Sequence, residues 1–335
     1  MSKITSSISL DEIGVRFGYL RIPHSVHDSA YGHIRVPIAV KRQGEGPTIL
    51  LVAGVHGDEY EGPLALYSLM GELESLEIHG RLIVIPSVNH PAFTAATRCS
   101  PIDSLNLNRS FPGAELGSVT QQIADYIANE LLSRADYAID MHSGGSSLQY
   151  LPLLLAPTWS DAAKRSTIAG LVEAFGSPLV GHFDSLKALD GGDSVFGNVA
   201  DRRNCHFLTG EFGGGSTVNL DGLQILSGGL RRVFRHIGLT KGEIGEPTQH
   251  HTTRHLNLHD PDLFAFSPVH GIFQPEYKLG AELAPGALAG RIFDMTQPWL
   301  PPVEIRFKAG GLAVCIRTFA VVKPGDCLGH LASDL

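Results

Sequence analysis

The stretch Leu50–Pro63, LLVAGVHGDEYEGP, changes character halfway along. Leu50 to Val55 is an unbroken apolar or small run, the length of one buried strand. His56, Asp58, Glu59 and Glu61 follow within six residues. From Glu61 to Glu74, Leu66, Leu69, Met70 and Leu73 then recur at roughly helical spacing. A buried strand running through a short turn into a helix is the repeating unit of an α/β sheet. One or two polar residues suffice for such a turn, so a histidine with three carboxylates asks for a further reason.

The same unit recurs downstream. RLIVIPSV (Arg81–Val88) reads as a second buried strand, followed by a loop rich in Pro, Ser and Asn that runs to Pro112. Ser118 to Ala135 has helical periodicity with Ser118 as its N-cap. ADYAIDMHSGG gives a third buried strand that ends at His142. Alternation in HIRVPIAV (His33–Val40) marks one more strand, and further strands are expected at Leu151–Ala156 and His206–Phe212. Helices are expected at Asp161–Phe175 and Leu220–Ile237. Buried strands alternating with helices imply an α/β fold: a mixed, largely parallel sheet with helices on both faces. Near Gly245 helical periodicity fades into short β-like runs divided by Pro and Gly, such as FSPVHGIFQP, GRIFDM and VEIRFKAGG. The chain is therefore divided into an α/β domain, residues 1–244, and a small all-β barrel or sandwich, residues 245–335.

Composition excludes several classes of function. At 335 residues, 43% of them apolar and 18% charged, the chain can bury a substantial core. The formal charge of −8 comes without a Lys/Arg block, which argues against a nucleic-acid partner. No apolar run reaches the roughly 18 residues of a membrane span, and the N-terminus lacks a secretory h-region. Cys99, Cys205, Cys315 and Cys327 form no CxxC pair, as suits reduced thiols in a cytoplasmic protein. The expected partner is a small molecule, and a homo-oligomer is compatible with the sequence.

His56 and Glu59 stand three apart where a strand gives way to a helix, so one turn of backbone can aim both at one point. Imidazole and carboxylate suit Zn²⁺, which takes about four N, O or S ligands. The acids also suit a helix start, where they face the positive end of the dipole. His142 closes another buried strand, and in a parallel sheet such strand ends meet at one crevice. Asp140, two residues earlier, either orients a ligand or is a helix-capping or surface-facing residue. Glu211 ends the strand in HFLTGEFGGG, a costly place for a carboxylate unless it is paired or used as a base. In RCSPIDSLNLNRSFPG, Asn106, Asn108 and Arg109 lie in a stretch too polar for core, and Arg109 or Arg98 could grip a carboxylate with two prongs. The histidines of QHHTTRHLNLHD (His250, His251, His255, His259) have no Glu or Cys among them and are taken as surface or interface residues.

GVHGDEYEG, NLNRSFPG, DMHSGG and GEFGGG, in that order, resemble the succinylglutamate desuccinylase/aspartoacylase family of zinc hydrolases, relatives of the zinc carboxypeptidases. The resemblance spans roughly residues 45 to 240 and the β-rich tail. It implies a zinc-carboxypeptidase-like fold and one Zn²⁺ per chain on His56, Glu59 and His142, with Glu211 as general base and acid. It also implies that Asn108 and Arg109 hold the substrate carboxylate, and that Arg98 polarises the acyl carbonyl. Likeness within the family is greatest to members that deacetylate N-α-acetyl-L-2,4-diaminobutyrate. The implied substrate is thus an N-acyl amino acid with a cationic side chain. Asp190 and Asp193, in LDGGDS, are the acids expected to meet its ammonium group.

Overall fold

A computed structural model describes residues 3–158, 161–183, 194–241 and 252–335. Strands Gly80–Ile85, Thr48–Ala53, Tyr137–His142 and His206–Glu211 lie side by side and parallel at the centre of a large mixed sheet. Their C-terminal ends share one edge, where Ala53 pairs with Met141 and Glu211 with His142. His33–Gln43 and Gly14–Pro23 extend the sheet antiparallel on one side. Leu153–Pro157, Leu179–Phe183 and Arg254–Asn257 extend it on the other.

Alternate residues of the central strands feed two separate cores. Leu50, Val52, Ile83 and Ile85 pack with helix Val119–Tyr126 and helix Phe196–Arg202. Ile49, Leu51, Ala53 and Val84 pack with helices Glu61–Glu72, Ala162–Phe175 and Leu220–His236 on the opposite face. Both faces of the central strands are buried, which is why they read as continuous apolar runs rather than alternating ones.

Local chemistry sets the helix ends. Asp161 accepts the Lys164 N–H at 2.8 Å and Asn219 that of Gly222 at 2.9 Å. Gln121 Oε1 accepts the Ser118 N–H at 3.0 Å, the returning half of a capping box. The long helix expected from Ser118 to Ala135 departs from the α form after Tyr126, continuing as a π-turn over Ile127–Leu131 and a 3₁₀ turn over Leu132–Arg134. Periodicity also missed strands Gly14–Pro23 and Leu179–Phe183 and the short helix His90–Ala95.

The C-terminal strands fall into two groups. Gly271–Pro275, Leu288–Phe293, Val303–Arg306 and Val321–Val322 form a four-stranded antiparallel sheet. Cys327–Asp334 pairs instead with Arg254–Asn257 and with Gly311–Arg317, and so joins the main sheet. Gly311–Arg317 in turn pairs with Leu148–Tyr150, just beyond His142. The expected boundary at residues 244 and 245 lies outside the described residues.

His330, on Cys327–Asp334, is buried, stacked on Phe264 with centroids 3.8 Å apart, and neither ring nitrogen finds a hydrogen-bond partner among the described residues. Burial pushes this imidazole from the ordinary 6.5 down to about 3. Below pH 6.5 the unfolded chain therefore binds a proton that the folded chain refuses, so stability is intact above that pH and falls as pH drops towards 3. Going from pH 7 to pH 5 should cost about 2 kcal/mol through this residue. Urea unfolding of wild type and His330→Leu at both pH values measures it, and the variant should show the smaller acid loss.

Candidate metal centre and active site

His56 and Glu59 occupy the turn between strand Thr48–Ala53 and helix Glu61–Glu72. Gly57 lets this turn lie flat on its neighbour, since a Cβ there would fall 2.0 Å from the Ala92 carbonyl. His142 and Glu211 end adjacent strands in register. The sheet edge thus gathers residues that are distant in sequence. Glu59 stands between the two imidazoles, Oε1 at 2.7 Å from His56 Nδ1 and Oε2 at 2.9 Å from His142 Nδ1. One donor atom from each of the three buried side chains lies within 4.8 Å of the other two.

The outward-facing nitrogens are also held. His56 Nε2 lies 3.1 Å from Asn106 Oδ1, and His142 Nε2 lies 2.7 Å from Asp140 Oδ2. Asn106 Oδ1 also accepts the Asn108 N–H at 2.9 Å, which identifies it as the acceptor end of its amide. Acceptors at both Nε2 atoms supply the partners of an Nε2–H tautomer, in which both Nδ1 atoms, now facing Glu59, can give their lone pairs to a metal. The donor set fits a divalent metal with a preference for N and O ligands.

Electrostatics agree with the geometry. Burial alone would raise Glu59, but His56 and His142 outweigh it and hold the carboxyl below the usual range. Burial draws His56 down. For His142 burial is overcome by the Asp140 and Glu59 carboxylates, which hold the imidazole well above its ordinary value. Glu211 differs from Glu59. Burial, with the Glu59 charge adding to it, pushes its carboxyl up to about 8. Its Oε2 is buried with no hydrogen-bond partner among the described residues. A carboxyl poised near neutrality and otherwise uncommitted is suited to moving a proton.

A cavity of about 280 Å³ brings His56, Glu59, His142 and Glu211 together with Arg98, Asn108 and Arg109. Asn108 accepts the Phe196 N–H at 3.1 Å through its amide oxygen, which leaves its Nδ2 donors for other partners. Arg109 is exposed and donates to the Asn108 carbonyl at 2.9 Å. Arg98 reaches Glu59 Oε1 at 3.5 Å with its side chain 45% exposed. Leu148, Leu155, Pro157, Phe183 and Phe207 supply apolar wall. Asp190 and Asp193 lie outside the described residues. A larger cavity, about 800 Å³ and bordered by Arg165, His182 and Arg232, contains none of these groups.

The reading of Asp58 and Glu61 as helix-start acids needs one correction. Glu61 does open helix Glu61–Glu72, but neither acid is exposed. Both are buried: Asp58 Oδ2 accepts the Ser146 N–H at 2.6 Å and its hydroxyl at 2.7 Å, while Glu61 binds Ser143. The sequence also gave no sign that Asn106 holds His56, because a side chain-to-ring contact across 50 positions leaves no periodicity. Of the later histidines, His255 pairs with His182 at 2.8 Å, and His250 and His251 lie outside the described residues. Among the described residues, His56, Glu59 and His142 are the one group of three metal-type donors.

A parallel sheet edge that could hold a divalent metal beside a glutamate able to move a proton suits a hydrolase. Residues 45–237 match the succinylglutamate desuccinylase/aspartoacylase catalytic domain, and the chain belongs to that family of N-acyl amino acid deacylases. It is 35% identical over 331 residues, 99% of this chain and 95% of the relative, to the N-alpha-acetyl-L-2,4-diaminobutyric acid deacetylase of Halomonas elongata. The product-bound ectoine utilization protein EutE (DoeB) of Ruegeria pomeroyi superposes with a TM-score of 0.93 at 38% identity, with 99% of both chains covered. A succinylglutamate desuccinylase from Silicibacter sp. TM1040 gives a TM-score of 0.93 at 35% identity, over 100% of this chain and 99% of the other.

If Asp140 fixes the tautomer of His142, Asp140→Asn should weaken divalent-metal binding by about 10- to 100-fold without unfolding the chain. Metal retained after dialysis against a graded chelator series, with circular dichroism as the fold control, measures this.

Proposed function

We propose that the protein is a zinc-dependent deacetylase of N-α-acetyl-L-2,4-diaminobutyrate, with His56, Glu59 and His142 holding one zinc ion. The observation that carries this reading is the buried His56–Glu59–His142 set beside Glu211, whose Oε2 has no partner among the described residues, in a cavity that also holds Asn108 and Arg109. The names of the relatives favour the acetylated diamino acid as substrate.

When bound, zinc supplies Lewis acidity towards the acyl oxygen and makes water a stronger acid. Glu211 takes the proton of the attacking water and returns it to the departing amine. Arg109 and the Asn108 amide grip the α-carboxylate, and the scissile amide then lies over the buried donor set. Arg98 steadies negative charge developing on the acyl oxygen. Asp190 and Asp193 are assigned to the substrate ammonium group on charge alone. Four cysteines without a disulfide among them suit a cytoplasmic setting.

A second reading concerns the acyl group. Arg98 is a second guanidinium in the same cavity, and it could instead bind the distal carboxylate of a succinyl group.

The test is a zinc-loaded assay on N-α-acetyl-L-2,4-diaminobutyrate, N-acetylaspartate, N-succinylglutamate and short peptides. Acetate release from the first is expected. Succinate release alone would move Arg98 to the acyl carboxylate, and peptide cleavage without deacylation would sink the proposal. Glu211→Gln should lower kcat by about 100- to 10,000-fold while zinc stays bound. Arg109→Ala should mainly raise KM, as steady-state kinetics will show.

A further inference from the structure

Glu61 takes no part in the reaction just described, yet it is wholly buried. A helix-start acid needs no burial to favour the dipole, and a carboxylate removed from water is costly unless its oxygens are satisfied. Both are. Oε1 accepts the Asn219 N–H at 2.8 Å, at the residue that caps helix Leu220–His236. Oε2 accepts a hydrogen bond from the Ser143 hydroxyl. Gly213, two residues past Glu211, makes room for this, because a Cβ there would fall 2.1 Å from Glu61 Oε1.

Ser143 is gripped from two sides. Its hydroxyl is held by Glu61, and its N–H donates to Glu59 Oε2 at 3.1 Å. That second contact matters because of what metal loading removes. Once the Nδ1 lone pairs of His56 and His142 are given to a metal, neither imidazole can donate to Glu59. Arg98 approaches Glu59 at 3.5 Å from a half-exposed position. Among the described residues, the Ser143 N–H is a buried donor that continues to orient the Glu59 carboxylate.

We propose that Glu61 is a positioning residue for the metal centre, pinning the Ser143 hydroxyl and so fixing the Ser143 N–H that aims Glu59. A buried carboxylate acceptor restrains a serine more firmly than a neutral one, since charge-assisted hydrogen bonds are about twice as strong. The link also joins the three site-bearing segments, because Glu61 opens the first helix, Ser143 follows His142, and Asn219 follows the Glu211 strand. The inference rests on the His56–Glu59–His142 metal reading.

The test uses the full chain and zinc itself, with dissociation constants read by competition against a chromophoric chelator. Glu61→Gln keeps the volume and the oxygen that faces Asn219, and Ser143→Ala removes a single atom. Each should weaken zinc binding by about 10-fold or more. The double variant should be no worse than the weaker-binding single variant, because the two residues act through one contact. If Glu61→Gln fails to fold, Ser143→Ala alone decides. Wild-type zinc affinity in the single variants, with only a lowered melting temperature, would overturn the proposal, as would losses that multiply in the double variant. A wild-type chain that takes up no zinc would instead overturn the metal reading beneath it.

Discussion

A buried carboxylate between two imidazoles organises this molecule. Glu59 lies in the interior of a sheet edge, where an isolated charge is untenable, and the surrounding structure is arranged to keep it ionised. His56 and His142 face it, Asn106 and Asp140 fix those rings from behind, and the Ser143 N–H holds its second oxygen. Glu211, a few residues away in space, meets the opposite condition. Among the described residues its buried oxygen finds no partner, and its carboxyl is shifted towards neutrality. Two glutamates of identical chemistry thus come to differ in protonation through their neighbours alone, which is how one site can hold a cation and still move a proton.

The sheet makes this possible by topology. Parallel strands end at a common edge, so residues 56, 59, 142 and 211 can meet without any long loop bringing them together. Burial on both faces keeps these strand ends in register, and the helices that follow start where polar backbone groups are available to the acids. Asp58 and Glu61 use that position to brace the Ser143–Ser147 loop, one acid to each of two serines.

Much of this was legible in the sequence, for a physical reason. Strands buried on both faces write themselves as apolar runs, and LLVAGV, RLIVI and YAIDM did so. Histidine or glutamate at the end of such a run stands out because the run before it is mostly apolar, Asp140 in YAIDM being an exception. Asn106 and Ser143 were not legible in this way. Their roles depend on a side chain meeting a partner that is far off in sequence or reached through backbone, and neither contact imposes a spacing. Gly14–Pro23 was missed because apolar residues fall on both its sides, Phe17 and Tyr19 exposed and Leu20 and Ile22 buried, while Arg16 shares the buried parity, so no clean run or alternation forms. The change from α to π geometry after Tyr126 left no mark, since both forms keep one apolar face.

The pairing of Gly311–Arg317 with Leu148–Tyr150 has a consequence for the order in which the protein is made. Thr318 reaches back to the Ser146 and Ser147 carbonyls, so the loop beside His142 takes part of its shape from strands near the other end of the chain. A nascent chain on the ribosome already carries His56, Glu59, His142 and Glu211 long before those strands emerge. Until then the loop lacks the contacts of Gly311–Arg317 and Thr318 that flank it. The segment beside His142 therefore gains this outer support only after all four of those site residues have been made.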